Sequence, residues 1–412
     1  MIGKKLLILG ANVETILLIQ TAKKLGVITY VTDYNPNAPA KKIADVACDI
    51  DCINIDALAK FCIEEKIDGV MVGVADSLVS IYAKLCQKLN YFCYATVDQA
   101  EVLSNKKFFD DACKKFDIPT IPNYKVDLDR FEETEISIIY PVFVKPVDGN
   151  SGLGISICHT KKELYSGIKK AINTSRSGKY LVEKYMECDD VFLNFTFVNG
   201  KYHLTAIADR YTIRQENNAS RVCVGAVYSD KYLDLYKKTI EKKLFRLFAY
   251  LGLENGVLMI SAFVENNTMH LYDPGFRLQG EAPDIHIAKS TEFDQKEFLI
   301  NFALGYSYDM PVDRLDKLLV DHKNYVTVWV LLKEGKIAKL VGLDELLEKE
   351  RAYHISQRMF VGDTVDKLMI GTERQVLVRI YCDIEKDDYK EKIAAIKQLV
   401  QVFDESGAVQ KI

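Results

Sequence analysis

A lysine and a glycine-rich stretch lie next to each other within residues 140–155. Lys145 belongs to an apolar, strand-like run, and glycines follow at positions 149, 152 and 154. A lysine supplies a mobile positive charge, and glycines let backbone N–H groups approach phosphate oxygens because no Cβ stands between them. The pattern therefore indicates a phosphate-binding loop. A β-hairpin, with turns at the Asp-Gly and Asn-Ser-Gly sequences, explains the same residues about equally well.

Three further residues could complete a nucleotide site. Lys106 begins a predicted helix, Glu183 ends a predicted strand, and Asp190 follows shortly after. ATP requires cations for its phosphates, a hydrogen-bonding edge for adenine and an acid for the ribose hydroxyls, and these residue types supply them. Taken singly, each has a more common explanation, because most lysines lie on the surface and many aspartates lie in turns.

The elements that must position these groups begin with alternating strands and helices. They are a strand at residues 6–9, a helix over Val13–Leu25 that Asn12 can cap, strands at Val27–Thr32 and Gly69–Val74, helices near Ile55–Glu65 and Leu78–Leu89, and a short strand near Tyr91–Thr96. This alternation predicts a parallel, doubly wound sheet with ligands at the carboxyl ends of its strands. The dinucleotide glycine fingerprint is absent after the first strand, so an NAD-dependent oxidoreductase is the weaker interpretation.

Strands dominate the rest of the chain. The predicted elements are strands at Val142–Pro146, Gly154–Cys158, Lys179–Lys184, Val191–Val198, Tyr202–Ile213, Leu258–Val264, His270–Asp273, Tyr325–Leu332 and Gln375–Cys382, and helices at Lys161–Thr174, Leu233–Leu251 and Asp388–Val402. At 412 residues the chain is long enough for two to four compact units. We expect three domains, over residues 1–100, 101–315 and 316–412, with a lid subdomain at about 117–185.

Composition narrows the class of protein. The hydrophobic fraction is 49%, and the formal charge of -4 gives no general attraction to polyanions, so we expect neither a nucleic-acid nor a membrane partner. No apolar run reaches the roughly 18 residues of a membrane span. The ten cysteines form no C-x-x-C pair and are predicted to be reduced core residues. These features favour a cytoplasmic protein.

The order and spacing of these pieces resemble the ATP-grasp superfamily of carboxylate–amine ligases, over nearly the whole chain. The resemblance lies in the N-terminal βαβ unit, the helix from Asn105 to Pro119, the Lys145 loop, the Glu183 strand and the C-terminal tail. It implies an α/β and α+β fold: an N-terminal doubly wound parallel sheet, a central ATP-grasp domain with a flap subdomain, and a small C-terminal α+β subdomain. Biotin carboxylase-like, purine-biosynthetic and L-amino acid ligase members carry such a tail.

The resemblance also implies roles for individual residues. Lys106 and Lys145 would hold the phosphates, Glu183 would meet the adenine amino group, and Asp190 would bind the ribose. The flap would consist of Asn150, Ser151, Gly152, Leu153, Gly154 and Ile155, and the adenine edge would be read by the segment Lys184, Tyr185 and Met186. Asp273 matches the metal-binding acid of the family pattern. Arg277 matches its arginine, which would steady the substrate carboxylate or the forming acyl phosphate.

Two positions depart from the family pattern, and both concern magnesium. Gly275 stands where an asparagine is expected, and Ser261 stands where the preceding strand should carry an acid. Magnesium prefers oxygen ligands in octahedral geometry, so Asp273 with waters suits one ion better than two. Glu265 shares a strand face with Ser261 but is predicted to lie too far away to substitute.

The sequence thus predicts a ligase that uses ATP and Mg to activate a carboxylate as an acyl phosphate, which an amine or another nucleophile then attacks. Small-molecule carboxylate and amine substrates would be its partners, with a homodimer possible. A carbamoyl-phosphate-synthetase-like or purine-carboxylase-like enzyme and a catalytically silent ATP-binding protein stay open. As a group, Arg210, Arg214, Arg221 and Arg277 favour an acidic substrate, although each alone is more often a surface residue. Of the histidines, only His286 merits a test as a site residue.

Overall fold

The computed structural model describes residues 1–147, 154–175, 177–214, 221–308, 314–349, 352–385 and 389–412. The N-terminal sheet has four parallel strands in the order Val46–Cys48, Ile28–Thr32, Lys5–Leu9 and Gly69–Val72. Residues 6–9 have no exposed surface, which explains their unbroken apolar run, since a parallel sheet is covered on both faces. The predicted doubly wound sheet is confirmed, and its strand order reverses between Lys5–Leu9 and Gly69–Val72.

The helix Thr15–Lys24 connects Lys5–Leu9 to Ile28–Thr32, the helix Ile55–Glu64 connects Val46–Cys48 to Gly69–Val72, and the helix Val79–Leu89 follows this last strand. The predicted strand near Tyr91–Thr96 is wrong. There the Tyr94 N–H donates to the Tyr82 hydroxyl at 3.2 Å, and Thr96 forms a capping box with Gln99 at the start of the next helix. Side chains therefore satisfy backbone groups that a strand would have paired with a neighbour.

A second sheet of four antiparallel strands forms the predicted lid. Its order is Asn123–Tyr124, Tyr180–Lys184, Val142–Pro146 and Ser156–Cys158. The helix Lys161–Thr174 covers one face, where Val142 and Val144 pack with Leu164 and Ile168. Because side chains alternate along a strand, Phe143 and Lys145 lie on the opposite face.

The third and largest sheet has eight antiparallel strands. Their order is Thr268–Gly275, Gly256–Glu265, Asp189–Val198, Lys201–Arg214, Arg221–Tyr228, Lys323–Leu331, Val376–Glu385 and His354–Gln357. The strand Arg221–Tyr228 was missed by the sequence analysis, yet it pairs with Lys323–Leu331 and so joins the central strands to the C-terminal ones. Strands from both sides of the predicted boundary at 315–316 thus belong to one sheet, while the domain boundaries themselves stay predictions.

The remaining elements are shorter. They are the helices Val97–Ser104, Lys106–Lys115, Phe131–Thr134, Leu233–Thr239, Glu241–Leu251, Asp284–Thr291, Gln295–Ala303, Lys317–Val320, Leu343–Glu348 and Tyr389–Leu399, the 3₁₀ turns Pro39–Lys42, Asp76–Leu78, Glu135–Ser137 and Glu373–Gln375, and the small strand pairs Gly335–Lys336 with Thr364–Val365 and Lys339–Val341 with Gln401–Phe403.

The single helix predicted over Leu233–Leu251 is wrong, because the chain leaves helical geometry at Ile240, which has φ -127° and is buried. Two β-branched residues, Thr239 and Ile240, stand at this break and favour it. The cysteine prediction is confirmed for the eight buried free thiols, whereas Cys93 and Cys188 are free but only half-buried.

Candidate active site

A cleft of about 950 Å³ lies between the lid sheet and the eight-stranded sheet. The residues predicted from the sequence that line it are Lys106, Lys145, Ile155, Glu183, Lys184, Tyr185, Met186, Asp190 and Asp273. Gly154 and Arg277 are not among its lining residues. Asn150, Ser151, Gly152 and Leu153 lie outside the described residues. The structure therefore gathers residues from distant parts of the chain around one cavity.

Lys145 enters the cleft because it lies on the open face of its strand. Its Nζ lies 2.6 Å from a carboxylate oxygen of Glu183 on the neighbouring antiparallel strand. Both side chains are only 13% exposed. The same ammonium lies 5.9 Å from the ring centre of Phe143, which shares its face of the sheet. Lys145 is thus a sheltered cation with one strong partner.

Lys106 is placed by the start of its helix. The Asn105 side chain caps this helix by accepting from the N–H groups of Lys107 and Phe108, at 3.0 and 3.3 Å. The Lys106 Nζ lies 3.3 Å from Asp273, whose charge raises the pKa of this lysine. The two lysines therefore enter the cleft from different elements, and each faces a carboxylate.

Asp273 owes its orientation to a β-bulge. The register between its strand and Gly256–Glu265 shifts here, so that Ser261 pairs with Tyr272 while Ile260 pairs with Pro274. Asp273 is the extra residue, and its φ of +48° lies in the left-handed region. Side chains normally alternate between faces, but this bulge lets both Tyr272 and Asp273 line the cleft. Burial alone would raise the pKa of the Asp273 carboxyl, but Lys106 and Lys145 lower it overall, so it stays ionised.

The predicted adenine edge follows the lid strand Tyr180–Lys184. The Lys184 N–H donates to the Pro122 carbonyl at 2.8 Å, and the Tyr185 N–H donates to the Pro141 carbonyl at 3.2 Å. The prediction that backbone groups of Lys184 and Met186 read the adenine edge stays a prediction. At the side-chain level, Lys184 pairs with Glu265 at 2.5 Å. Glu265 therefore binds across the cleft rather than at Asp273.

Tyr185 turns its hydroxyl toward two arginines on neighbouring strands. Arg214 and Arg221 both donate to the Tyr185 hydroxyl, the latter at 3.1 Å. Their guanidinium groups lie 5.5 and 5.9 Å from the centre of its ring. This wall of the cleft is consequently cationic, as the grouping of arginines in the sequence predicts.

Asp190, the predicted ribose acid, already holds a buried arginine. The Arg210 Nη2 donates to its carboxylate at 2.7 Å, and the Tyr272 hydroxyl donates to the same oxygen at 3.0 Å. Arg210 also donates to the Ser261 hydroxyl at 3.0 Å and lies 3.6 Å from Glu281. Asp190, Arg210, Ser261 and Tyr272 belong to four adjacent strands, so they form a row across the floor of the cleft.

Arg277 lies beside the cleft in an ion pair with the N-terminal domain. Its Nη2 is 2.5 Å from Asp76, which follows the parallel strand Gly69–Val72, and its Nη1 donates to the Leu278 carbonyl at 2.9 Å. Gly275 leaves room for this ion pair, since a Cβ at this position would lie 2.8 Å from Asp76 and 3.3 Å from the Arg277 guanidinium. Asp76 also helps raise the pKa of Lys106, so this pair borders the phosphate-binding end.

Several lining residues were not predicted from the sequence. Glu281 lies shortly after Asp273, and its acidic side chain in the same segment was a usable signal. Glu373 and Arg374 come from a 3₁₀ turn of the C-terminal strands, far along the chain, and only the joined sheet brings them to the cleft. Glu373 pairs at 3.3 Å with Arg379, which lies 4.4 Å from the ring centre of Trp329.

One residue of the cleft, Asp273, is suited to binding a magnesium ion. Among the described residues, no three or more His, Cys, Asp or Glu side chains form a metal-binding group. Asp273 is ionised and 49% exposed, so its carboxylate can reach a phosphate-bound cation. His286 lies elsewhere, fully buried, which excludes it from the cleft.

Comparisons with known proteins agree with this geometry. A family model described as D-ala D-ala ligase C-terminus matches residues 97–222. Formate-dependent phosphoribosylglycinamide formyltransferase of Prochlorococcus marinus is 29% identical over 201 residues, covering 47% of this chain and 51% of that protein. Residues 97–222 therefore resemble this ligase domain, and the chain is similar to ATP-grasp enzymes. It spans about half the length of the curated relatives it matches.

Solved ATP-grasp structures share the fold over nearly the full chain. The L-amino acid ligase of Bacillus licheniformis superposes with a TM-score of 0.78 at 15% identity, covering 98% of this chain and 100% of that chain. The biotin carboxylase domain of Hydrogenobacter thermophilus 2-oxoglutarate carboxylase, a dimer with MgADP, ADP and bicarbonate, gives 0.77 at 16% identity, covering 100% of this chain and 92% of that chain. Within the described ranges of the chain, no helix has the length and apolar character needed to cross a membrane.

Proposed function

We propose that the chain is an ATP-dependent ligase that activates a carboxylate as an acyl phosphate and couples it to an amine or another nucleophile. One observation carries this proposal: Lys106, Lys145 and Asp273 line the same cleft as residues 184–186, and each of the two lysines faces a carboxylate there. The cleft volume of about 950 Å³ is ample for a nucleotide with a small second substrate.

The nucleotide would exchange partners with the existing ion pairs. Phosphate oxygens would take the place of Glu183 and Asp273 as partners of Lys145 and Lys106. Asp273 would then be released to bind the magnesium ion that accompanies ATP, and Glu183 would be released to meet the adenine amino group. The lysines suit this exchange because a flexible ammonium can follow the phosphates as the lid moves.

The reaction would proceed in two steps. A carboxylate oxygen of the substrate attacks the γ-phosphorus, the bond to the bridging oxygen breaks, and ADP leaves with that electron pair. The acyl phosphate is then attacked at its carbonyl carbon by the nucleophile, phosphate leaves, and the amine loses a proton as the amide forms. The protein aligns the groups and neutralises their charge, and no side-chain nucleophile is required.

The carboxylate substrate would bind near Arg277, at the point where the N-terminal sheet reverses its strand order. Ligands of open parallel sheets bind at such points, beyond the carboxyl ends of the strands. Asp76 and Glu14 lie in the two loops that flank this point, and they pair with Arg277 and Arg358, each at 2.5 Å. The arginines are thus held in place at the border between the nucleotide cleft and the N-terminal domain.

Two other functions compete with this proposal. A carbamoyl-phosphate-synthetase-like or purine-carboxylase-like enzyme would use bicarbonate as the carboxylate. A silent nucleotide-binding protein is favoured by one observation, the serine at position 261, which a carboxylate would occupy in the family pattern. It would bind ATP without releasing ADP. A homodimer and a cytoplasmic location also stay predictions for this chain.

A single screen separates these functions. Calorimetry with Mg-ATP tests binding first. ADP and phosphate release is then measured against pools of amino acids and small organic acids, with bicarbonate as a separate pool and Lys145→Ala as the matched inactive control. We expect ATP binding and release that depends on one pool of carboxylates. Absence of nucleotide binding would refute the proposal, and binding without release in every pool would favour the silent protein.

A further inference from the structure

We propose that the cleft works with one divalent cation, held by Asp273, and that the guanidinium groups of Arg210 and Arg277 fix positive charge where ligands of a second cation would have to lie. This inference rests on the proposed nucleotide function. It concerns the two positions, Ser261 and Gly275, at which the family pattern would place further metal-binding side chains.

The first position is controlled by Arg210. The Ser261 hydroxyl accepts a hydrogen bond from the Arg210 Nη2 at 3.0 Å, so a fixed cation already touches the place where a metal ligand would begin. Arg210 is held by Asp190, Tyr272 and Glu281 as well, and its side chain is only 13% exposed. Moving the Arg210 side chain away would deprive two carboxylates of their positive partner, those of Asp190 and Glu281, which are each only 12% exposed.

The second position is controlled by Arg277. The space above Gly275 is filled by the ion pair of Arg277 with Asp76, since a Cβ there would come within 3.3 Å of the guanidinium and 2.8 Å of the carboxylate. Arg277 is 8% exposed and also bonded to the Leu278 carbonyl. An amide ligand at this position would therefore need the ion pair to move.

The remaining acids of the cleft are already paired. Glu183 binds Lys145 at 2.6 Å, and Glu373 binds Arg379 at 3.3 Å. Glu281 lies 3.6 Å from Arg210 and accepts from Gln279 at 2.7 Å. Asp273 differs because it is 49% exposed and its lysine partner is flexible. Among the described residues of the cleft, Asp273 is consequently the carboxylate best placed to receive a cation together with phosphate oxygens.

Both guanidinium groups are held in ion pairs, Arg210 with Asp190 and Glu281 and Arg277 with Asp76, so neither position offers a free ligand. Arg210 lines the cleft and is fixed before the reaction, so stabilising phosphate charge with it costs no reorganisation. Arg210 also has a spare donor, since its buried Nε has no hydrogen-bond partner within the described part of the chain. A second divalent cation at either position would therefore have to displace a guanidinium from its carboxylate partners.

Counting bound metal tests the proposal directly. Manganese is titrated into the wild-type protein saturated with β,γ-imido-ATP, and bound Mn²⁺ is measured by electron paramagnetic resonance. We expect one Mn²⁺ per bound nucleotide. Two Mn²⁺ per nucleotide would overturn the inference while leaving the proposed ligase function intact, whereas no nucleotide binding at all would refute the proposed function itself. This count needs no variant and so does not depend on any variant folding.

Variants test whether Arg210 is the group that excludes a second cation. Ser261→Asp is expected to keep one Mn²⁺ and to weaken analogue binding at least tenfold, because the new carboxylate adds negative charge beside Arg210 and repels the phosphates. Ser261→Ala is the matched control for the substitution and is also expected to bind one Mn²⁺. A second Mn²⁺ in Ser261→Asp would overturn the inference, since it would show that Arg210 does not exclude the ion.

Arg210→Gln and Arg210→Lys complete the test. The glutamine variant is expected to bind the analogue at least tenfold more weakly, and the lysine variant, which keeps the charge, to recover part of that loss. Unchanged binding in Arg210→Gln would overturn the role of Arg210. Circular dichroism identifies any variant that does not fold, and in that case the wild-type metal count and Ser261→Asp decide the question.

Discussion

The nucleotide cleft and the junction around His286 both collect ionisable side chains, but they hold them in opposite states. In the cleft the groups are charged and meet an opposite charge, as Lys145 meets Glu183 at 2.6 Å. At the junction, His286 belongs to the helix Asp284–Thr291 and is fully buried where this helix meets the strand Lys323–Leu331. Burial lowers its pKa to about 3. The ring is therefore neutral at physiological pH.

The neighbours of His286 explain why it stays neutral. Its Nε2 lies 2.7 Å from the Thr327 hydroxyl, and its Nδ1 is hydrogen-bonded to the Tyr353 hydroxyl. The Tyr228 ring lies 4.4 Å away, and His354 lowers the pKa further. Hydroxyl groups satisfy both ring nitrogens without supplying a counter-charge.

The comparison distinguishes two uses of ionisable side chains. The charged pairs of the cleft are suited to binding ligands, whereas the neutral His286 ring at the junction is suited to stabilising the fold. Charged pairs in the cleft can exchange one partner for a phosphate oxygen, so their loss should affect activity more than folding. The junction joins central and C-terminal strands through a neutral ring, so its protonation should affect folding more than chemistry. Each prediction below tests one side of this comparison.

The largest effect is expected for Lys145→Ala. Removing this cation should lower kcat/KM for ATP by at least about 100-fold, the usual scale for losing a group that stabilises developing charge. The free energy of unfolding should fall by about 1 to 3 kcal/mol, because Glu183 is only 13% exposed and loses its partner. ADP release and urea unfolding measure the two quantities.

Lys162→Ala is the control for this prediction, because Lys162 is exposed on the helix that covers the other face of the lid sheet. It should leave both quantities unchanged. Retained ATP turnover in Lys145→Ala would remove Lys145 from the phosphate site and with it the ligand side of the comparison.

The second effect is a pH dependence of stability set by His286. Its pKa is about 3 in the folded chain, against an ordinary value of 6.5 for the solvated side chain of the unfolded chain, so between these values the unfolded chain binds the extra proton. Stability is therefore complete above pH 6.5 and decreases as the pH falls toward 3. The expected loss from this residue between pH 7 and 5 is roughly 2 kcal/mol. Urea unfolding at both values measures it.

His286→Gln isolates this contribution, since a glutamine can hydrogen-bond Thr327 and Tyr353 without titrating. Its stability should change less between pH 7 and 5 than that of the wild type, by the same roughly 2 kcal/mol. The exposed His159, changed to glutamine, should leave the wild-type dependence intact. Equal pH dependence in wild type and His286→Gln would show that the junction does not hold a neutral ring.

The sequence predicted elements well where one local pattern dominated. The strand Val142–Pro146 and the helix Lys161–Thr174 have the predicted bounds, because alternation and helical spacing there agree with strong flanking turns. Prediction from the sequence failed where tertiary contacts decide whether an element forms. The strand Arg221–Tyr228, with Gly225 at its centre, has weak local propensity and forms because two partner strands flank it.

The candidate site divides in the same way. Lys106, Lys145 and Asp273 could be found because their residue types match a known order of motifs. The pairing of Arg277 with Asp76 and the approach of Glu373 could not, since each depends on how separate sheets meet. The bulge at Asp273 was also beyond sequence reasoning, because a one-residue register shift leaves no periodic signal.

The smallest effect is expected at Asp273, whose carboxylate is proposed to bind the cation and whose backbone lies in a strained conformation. Its φ of +48° suits glycine better than alanine, while either substitution removes the carboxylate. Asp273→Gly and Asp273→Ala should therefore lose magnesium-dependent activity equally, but the glycine variant should be more stable by about 1 kcal/mol. Activity is measured by magnesium titration of ADP release, and stability by urea unfolding. Equal stabilities would show that the bulge is not strained, and an unchanged magnesium titration would place the metal elsewhere. Unequal activities would mean that position 273 acts through backbone geometry as well as charge.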